Sequence, residues 1–517
     1  MRKIVVWIAI LIGCVALFFA GSALVLFLAP GVEIFGIRYV ASGLSDYTFN
    51  DNFEHFEGDI YIETYGVPIT IEYSEYASYL LTYHQDFVGF TKSKYDKAKV
   101  ICSYDNHNLN IKVNEMVKWL YAQELGADYK FHLRLPSQAL NKSIFINSES
   151  SNVNIKISPN VGDIHMSDLS IVTKGDFSLN GKIVADDFKL HTTKTITIDD
   201  QITCHNANLK SSGGGINVTK ALAGNLVAET SVGDIKFVSC KTLTAKTGSG
   251  DIKSYNSGLN SVLGKVNIST RSGFVELGNI SYDNTLSAEE RIAEINSNSG
   301  EVNISTLYHG TINNERGKIV VGEAEKLVIN ANVGSVTVKT IYDSIIVNGR
   351  NGEVKLGQSG TINNVKVQTT SGKISVLNTK GVVNIKSSSN AVKFTNISST
   401  DITLYSAKNL SATGLRGKVQ VYVNGDAKLQ FSEVSGNVNV STGGKSDKVE
   451  IDATCIQYSD VDYKIESTKG TKAKIYAGEV VLAEKTKIES NVVEGHNLIE
   501  VKTSYAKIIL KLGNTNG

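Results

Sequence analysis

The chain has 517 residues, of which 52 are basic and 51 acidic, giving a formal net charge of +1. No basic stripe suggests nucleic acid, and that balance argues against a phosphate-binding surface, so no nucleic acid is expected as a partner. Gly is abundant at 45 and Pro scarce at 4, which suits tight turns between strands that keep their N–H groups. Cys14, Cys102, Cys204, Cys240 and Cys455 contain no C-x-x-C pair, so zinc-ribbon and thioredoxin readings fail and free or buried thiols are expected.

Arg2 and Lys3 precede an apolar run, Ile4 to Leu28, whose 25 residues carry no charge. A helix of that length is about 37 Å long, against a hydrocarbon core of about 30 Å. A cleaved signal peptide needs an apolar region of only about 7–15 residues. Residues 1–29 are therefore expected to be a cytoplasmic tip and an uncleaved transmembrane signal anchor in the lipid bilayer. The positive-inside rule then places the N-terminus in the cytoplasm and residues 31–517 outside the cell membrane. Residues 30–45 read as a juxtamembrane linker.

Residues 46–150 read as a Tyr-rich β cap or entry region, since 12 of the 22 tyrosines lie between Tyr39 and Tyr129. Strands are legible at Ile60-x-Ile62, Val67-Pro68-Ile69-x-Ile71, Leu109-x-Ile111-x-Val113 and Phe131-x-Leu133-x-Leu135. Met116 to Leu125 reads as a short helix or part of a lid. The tyrosines are either a platform that stacks on sugars or a β-favouring surface over the end of a solenoid. The need to cap terminal rungs favours the second.

Residues 151–457 carry a repeat. From Val302 to Val438, apolar-x-apolar pairs recur in 15 steps over 136 residues, about 9 residues a step. Gly233-Asp234-Ile235 and Gly250-Asp251-Ile252 lie 17 residues apart, and Gly300, Gly317, Gly334, Gly352 and Gly372 continue that rhythm. Gly before every second strand implies two unlike strands per rung of about 18 residues. The fold class expected is all-β: a parallel two-sided β-solenoid with a single N-terminal transmembrane helix. Val, Ile, Leu, Ala and Phe face inward; Lys, Thr, Asn, Glu and Ser face out. The glycines supply a φ > 0 corner or a close backbone approach. Cys204 and Cys240, about two rungs apart, are beyond disulfide reach. The beat breaks at Gly278–Ala293, where Ser287-Ala288-Glu289-Glu290 reads as a capping box opening a loop excursion. Residues 458–517, with Lys464-Ile465-Glu466 and Ile508-Ile509-Leu510, read as closing strands.

Three parts of the chain match a known pattern: Val67 to Ser74, the Phe131–Pro136 strand followed by Ser143-Ile144-Phe145-Ile146, and the Ser-Gly turns at Ser249, Ser299, Ser371 and Ser435. Together they resemble the bacterial "putative adhesin" β-strand-repeat family, a domain-of-unknown-function class, over about residues 50–512. The resemblance implies a β-repeat fold and an adhesin-like role.

The chemistry-bearing residues are sparse. Sequons at Asn141, Asn217, Asn267, Asn279, Asn303, Asn396, Asn409 and Asn439 read as by-products of a repeat that writes Asn-apolar-Ser/Thr. Asp186-Asp187 and Asp199-Asp200 are the only Asp pairs of the repeat, and neighbours on a strand point to opposite faces, so neither is a catalytic dyad alone. Asp187 and Asp199 could face each other from adjoining rungs. No histidine pair has zincin spacing, Gly213-Gly214-Gly215 lacks the Asp of a calcium repeat, and Gly248-Ser249-Gly250 opens no helix. No catalytic, cofactor-binding or metal residue is nominated, no cofactor is expected, and the ligand stays unknown. The expectation is a non-enzymatic surface-binding, adhesin-like or structural module, with a polysaccharide or a surface protein as partner. The alternatives are a scaffold polymerising through its terminal rungs and a carbohydrate-active enzyme on a β-helix.

Overall fold

A computed structural model describes residues 2–28, 33–34, 37–40, 47–52, 58–74, 78–92, 99–105, 107–114, 119–136, 142–149, 151–157, 164–255, 260–280, 287, 291–388, 391–406, 410–414, 416–423, 427–434, 437–442, 448–455, 461–467, 473–477, 480–485, 487–491, 493–494, 496–503 and 505–512. Arg2–Leu28 is one α-helix, uninterrupted by Pro, with the first Pro of the chain at Pro30 just beyond it. Its Val6–Val25 stretch has a mean hydropathy of 2.6 and is long and apolar enough to cross a membrane. The rest is a parallel β-solenoid, divided into two compact units, Met1–Asn225 and Leu226–Gly517.

In the first unit, strands stack in register on two main faces. Ile146, Ile171, Leu190 and Leu209 form one inward column, all buried. Val153, Phe177, Ile196 and Ile216 form the other. A short third column, Met166, Ala185 and Cys204, fills the bend that precedes the first face.

The threading of the first rungs departs from chain order. Ile60–Tyr65 lies between Asn108–Asn114 and Ile144–Glu149. Ile69–Ser74 lies between Trp119–Pro136 and Val153–Lys156. The chain thus lays down the second rung first, turns back to build the outermost rung, and then passes over to the third. The outermost rung is closed by antiparallel strands: Lys99–Asp105 against Asn108–Asn114, and Ser78–Lys92 against Trp119–Pro136. Ser78–Lys92 is in turn edged by Tyr47–Asn52 and Ile37–Val40. A covered edge leaves fewer unpaired N–H and C=O groups for another chain to extend. Of the stretch read as a short helix or part of a lid, Met116–Leu125, Trp119 onward is not helical: it belongs to the 18-residue strand Trp119–Pro136, because its backbone pairs with Phe87–Thr91. Residues 115–118 lie outside the described residues.

The second unit has the same construction. Val302, Ile319, Val336 and Val354 stack one on the next, and Ile312, Ile329, Val347 and Val367 form the opposite inward column. Leu307, Ala324 and Ile341 fill the bend. A rung is not a fixed 18 residues. Ile319 follows Val302 by 17, whereas Val302 stacks on Val275 across 27, the extra length falling at the expected excursion. The capping box there, Ser287 apart, lies outside the described residues. The far end repeats the threading of the beginning. Asn497–Thr503 and Tyr505–Leu512 insert between the preceding rung and an outer rung made of Val461–Ser467 and Ala473–Ala477. Lys487–Glu489 and Val480–Lys485 then pair antiparallel on that outer rung.

The corner before each second-face strand explains the Gly-Asp-Ile signature. A Cβ added at Gly250, Gly273, Gly300, Gly317, Gly334, Gly352 or Gly372 would sit 1.8–2.1 Å from the carbonyl oxygen of the corner glycine one rung earlier. Only hydrogen leaves room for that carbonyl. Gly317, Gly334 and Gly352 also hold φ of +143°, +153° and +148°, but the other four are outside the left-handed region, so close approach is the common cause. The Asp carboxylate then accepts the backbone N–H of the next rung: Asp251 N to Asp234 Oδ1 is 2.9 Å, and Phe274 N to Asp251 Oδ1 is 2.8 Å. The Ile points inward.

Just inside several of these corners, a buried Thr, Ser or Asn ties two rungs together, whereas the equivalent position is Ala331 before Gly334 and Gly349 before Gly352. Thr247 Oγ1 accepts from Gly250 N at 3.0 Å and donates to Gly233 O at 3.1 Å. Thr270 repeats this with Gly273 N and Gly250 O, and Asn314 Nδ2 donates to Gly300 O at 2.8 Å. In the first unit Thr173, Thr192 and Ser211 do the same toward Ser151, Gly175 and Lys194. Each satisfied bond is worth about 1 kcal/mol, and each lost one leaves a buried carbonyl unpaired.

Two outcomes follow. Gly334→Val forces a methine carbon against Gly317 O and is expected to destabilise by more than about 1 kcal/mol, seen as a lower denaturant midpoint. An unchanged midpoint would show that the corner has slack. Replacing the capping strands 480–489 by a Gly-Ser link exposes the outer rung, and concentration-dependent self-association by light scattering is expected, against none added in the parent.

Candidate binding surface

The outward positions form columns because equivalent residues recur at each rung, about 4.8 Å apart. In the first unit one column runs Asn110, Tyr61, Phe145, Ser170, and its neighbour runs Lys112, Glu63, Asn147, Val172. Tyr61 and Phe145, brought together from adjoining rungs, lie with ring centroids 4.8 Å apart and planes 10° from parallel. With Ile101 and Ser103 of the capping strand they line an open groove of about 580 Å³. Tyr61, Ile101 and Val172 are 39%, 40% and 48% exposed, so this is the aromatic and apolar part of an otherwise polar face.

The polar side of the groove is organised by Glu63. It accepts from the Tyr65 hydroxyl and pairs with Lys112 at 3.1 Å, while Lys112 also lies 5.2 Å from the Tyr65 ring centroid. The Tyr65 hydroxyl, with Lys112 adding, holds the Glu63 carboxyl below its ordinary range. Glu63 also pushes the Tyr65 phenol up. The carboxylate is therefore an ionised acceptor, not a proton donor.

In the second unit the matching column is an amide ladder. Asn313 Nδ2 donates to Asn296 Oδ1 at 2.7 Å, Asn330 to Asn313 at 2.7 Å, and Asn348 to Asn330 at 2.8 Å. Gln368, Lys386, Tyr405 and Tyr422 continue the column in register, with Lys386 Nζ 5.3 Å from the Tyr405 ring centroid. Surface charges are paired along their own strands: Lys236 with Asp234 at 3.1 Å, Lys253 with Asp251 at 2.8 Å and Lys355 with Glu353 at 2.8 Å. Such exposed pairs add little stability.

The Asp pairs are occupied locally. Asp187 accepts from Asn206 Nδ2 at 3.0 Å and pairs with Lys189 at 3.3 Å, and these two hold its carboxyl below the ordinary range. Asp186 lies 3.6 Å from His205, and Asp199 accepts a long bond from Thr219. Asp187 sits at a first-face strand and Asp199 in the turn after Ile196–Ile198, so they do not occupy the same column. Among the described residues no group of three His, Cys, Asp or Glu could hold a metal ion. Asn267 and Asn303 are exposed sequons, Asn396 and Asn439 bond to Asn378 and Glu500, and Asn141 and Asn409 lie outside the described residues.

Cys204 and Cys240 are buried free thiols, and Cys14 and Cys102 are also free. Burial, with Asp187 adding, pushes Cys204 from 9.0 up to about 12, and burial pushes Cys240 up as well. Below pH 9 both the folded and unfolded thiol are neutral. Between 9.0 and about 12 the unfolded Cys204 ionises and the folded one does not, so stability is lost as pH rises through that window. At pH 8 the two thiols are expected to resist a maleimide until denaturant is added. Rapid native labelling of Cys204 would contradict its burial.

Comparison with known proteins places part of the chain. The family model "Toastrack DUF4097" matches residues 58–241, from the threaded cap into the stacked rungs. The Ser-Gly turns from Ser249 onward lie beyond that match. No curated protein sequence matches the chain. A crystal structure of "a putative adhesin" from Bacteroides fragilis NCTC 9343 aligns over 64% of this chain and 98% of that chain, at 12% identity and a TM-score of 0.20. That score is too low to transfer anything to this chain.

Proposed function

We propose that the chain is a membrane-anchored, extracytoplasmic β-solenoid that acts as a surface-binding, adhesin-like module. The observation that carries this reading is the outward columns, two in the first unit and the amide ladder of the second, which present amides, hydroxyls and aromatic rings at rung spacing. A repeating surface suits many weak contacts with an extended polymer or another cell surface, where linked sites raise avidity without one strong contact. The Arg2–Leu28 helix supports the anchor, and Arg2-Lys3 before it supports a cytoplasmic N-terminus. The polymerising-scaffold alternative is disfavoured by the antiparallel strands over both outer rungs. The enzyme alternative is disfavoured by Asp187 and Glu63, which stay ionised and bonded to their own neighbours.

Protease shaving of intact cells, after outer-membrane permeabilisation where there is one, is expected to remove residues 31–517. An ectodomain protected until the inner membrane is lysed would reverse the orientation.

A further inference from the structure

Resting on the surface-binding reading, we infer that the amide-ladder face of the second unit binds the same face of a second copy of this chain, the two solenoids running antiparallel. Outward rows cross that face over five rungs. The amide row is Asn296, Asn313, Asn330, Asn348 and Gln368, and beside it run Glu294, Thr311, Val328, Ile346 and Lys366. On the ladder's other side, Glu315, Asn332 and Arg350 follow it by two residues on three successive rungs, each exposed. The charges are ordered about one rung, that of Val328, Asn330 and Asn332. Glu315 and Arg350 stand one rung to either side of it, and Glu294 and Lys366 stand two. Acid lies toward one end and base toward the other, at equal distances from the centre.

Such a pattern complements itself under one operation, a two-fold axis along the central strand. That axis lays each row on its own reverse. Glu315 then meets Arg350 of the second copy and Glu294 meets its Lys366, each contact occurring twice. Thr311 falls opposite Ile346, and Val328 opposite its own counterpart, so the centre is β-branched; Ile346 is 37% exposed. Asn313 and Asn330 each give one amide N–H and one lone pair to their own ladder, which leaves a second of each for the facing row. Charges on the opposite face are already engaged, Lys318 with Glu301 at 3.3 Å and Glu353 with Lys355 at 2.8 Å. Among the described residues, none of Glu294, Glu315, Arg350 and Lys366 has a salt bridge. Lys326, two residues before Val328, would meet its own counterpart, so with Asp343 3.9 Å away it bounds the contact on that side. Three rows about 7 Å apart over five rungs of about 4.8 Å cover roughly 500 Å² on each partner, the lower end of specific interfaces. One such pair is weak, and many copies acting together are not. The rungs stack in chain order, so the two chains enter their paired units from opposite ends, which suits copies presented by two facing surfaces.

The test is sedimentation equilibrium of the detergent-solubilised full chain, with clustering of proteoliposomes that carry it as the multivalent readout. A monomer–dimer equilibrium and clustering are expected of the parent. Glu315→Lys and Arg350→Glu are each expected to weaken the dimer roughly tenfold or more, because the two-fold axis repeats every like-charge contact. An equimolar mixture of the two variants is expected to associate again, since each then meets the opposite charge on the other. Both side chains are exposed, so the fold is expected to stay intact, and unchanged thermal unfolding checks this. Variants that associate like the parent, or a mixture no better than either variant alone, would overturn the antiparallel pairing. A parent that neither dimerises nor clusters vesicles would overturn the second copy as partner. If that parent still attaches to intact cells or cell-wall polymer, the surface-binding reading stands without this inference; if it does not, both fall.

Discussion

Everything in this molecule depends on one close approach: the carbonyl of a corner residue lodging against the next rung's glycine where a side chain would be. At Gly334 the space for a Cβ is occupied by Gly317 O, and at Gly352 by Gly334 O. That contact sets the rungs at hydrogen-bonding distance, so Val302, Ile319 and Val336 stack in register. The buried Thr247, Thr270 and Asn314 then occupy the inside of the corner and satisfy backbone groups that the turn would otherwise strand. A hydrophobic column alone would tolerate slippage; corners such as those at Thr247, Thr270 and Asn314 add a polar bond that does not.

The stacked part of the fold is legible in the sequence because one signal serves each need. Gly250-Asp251-Ile252 encodes, in three residues, a place for a carbonyl, an acceptor for the next N–H and an inward side chain. The caps are not legible. Ile60-x-Ile62 and Leu109-x-Ile111 read as equivalent strands, and nothing local says that the earlier one lies inside the later one. Likewise Trp119–Leu125 has helix-forming residues, but pairing along Ser78–Lys92 overrides that propensity. The Tyr61–Phe145 ring stack was hidden for the same reason. A wealth of tyrosines is visible in the sequence, yet the partner of Tyr61 is Phe145, which only the threading of the strands brings alongside.

The functional reading follows from what such a scaffold does well. A stacked solenoid fixes outward side chains at a constant interval, so a single residue choice becomes a row when repeated, as Asn296, Asn313, Asn330 and Asn348 show. Rows favour ligands that are themselves periodic. The closed outer rungs let the scaffold present these rows with fewer open edges for its own copies, and the apolar helix offers the attachment that a surface-presented module needs.

The most direct test of this account is a pair of deletions in the second unit. Removing residues 319–335 takes out one whole rung and sets Val336 on Val302 in the register that Ile319 now holds. Removing 319–334 leaves one residue more and turns every following inward side chain outward until the chain corrects itself. Circular dichroism with denaturant unfolding is expected to show a folded, cooperative protein for the first and a protein with collapsed stability for the second. Equal stability of the two would contradict the claim that the register-locked rung is the unit on which the structure is built.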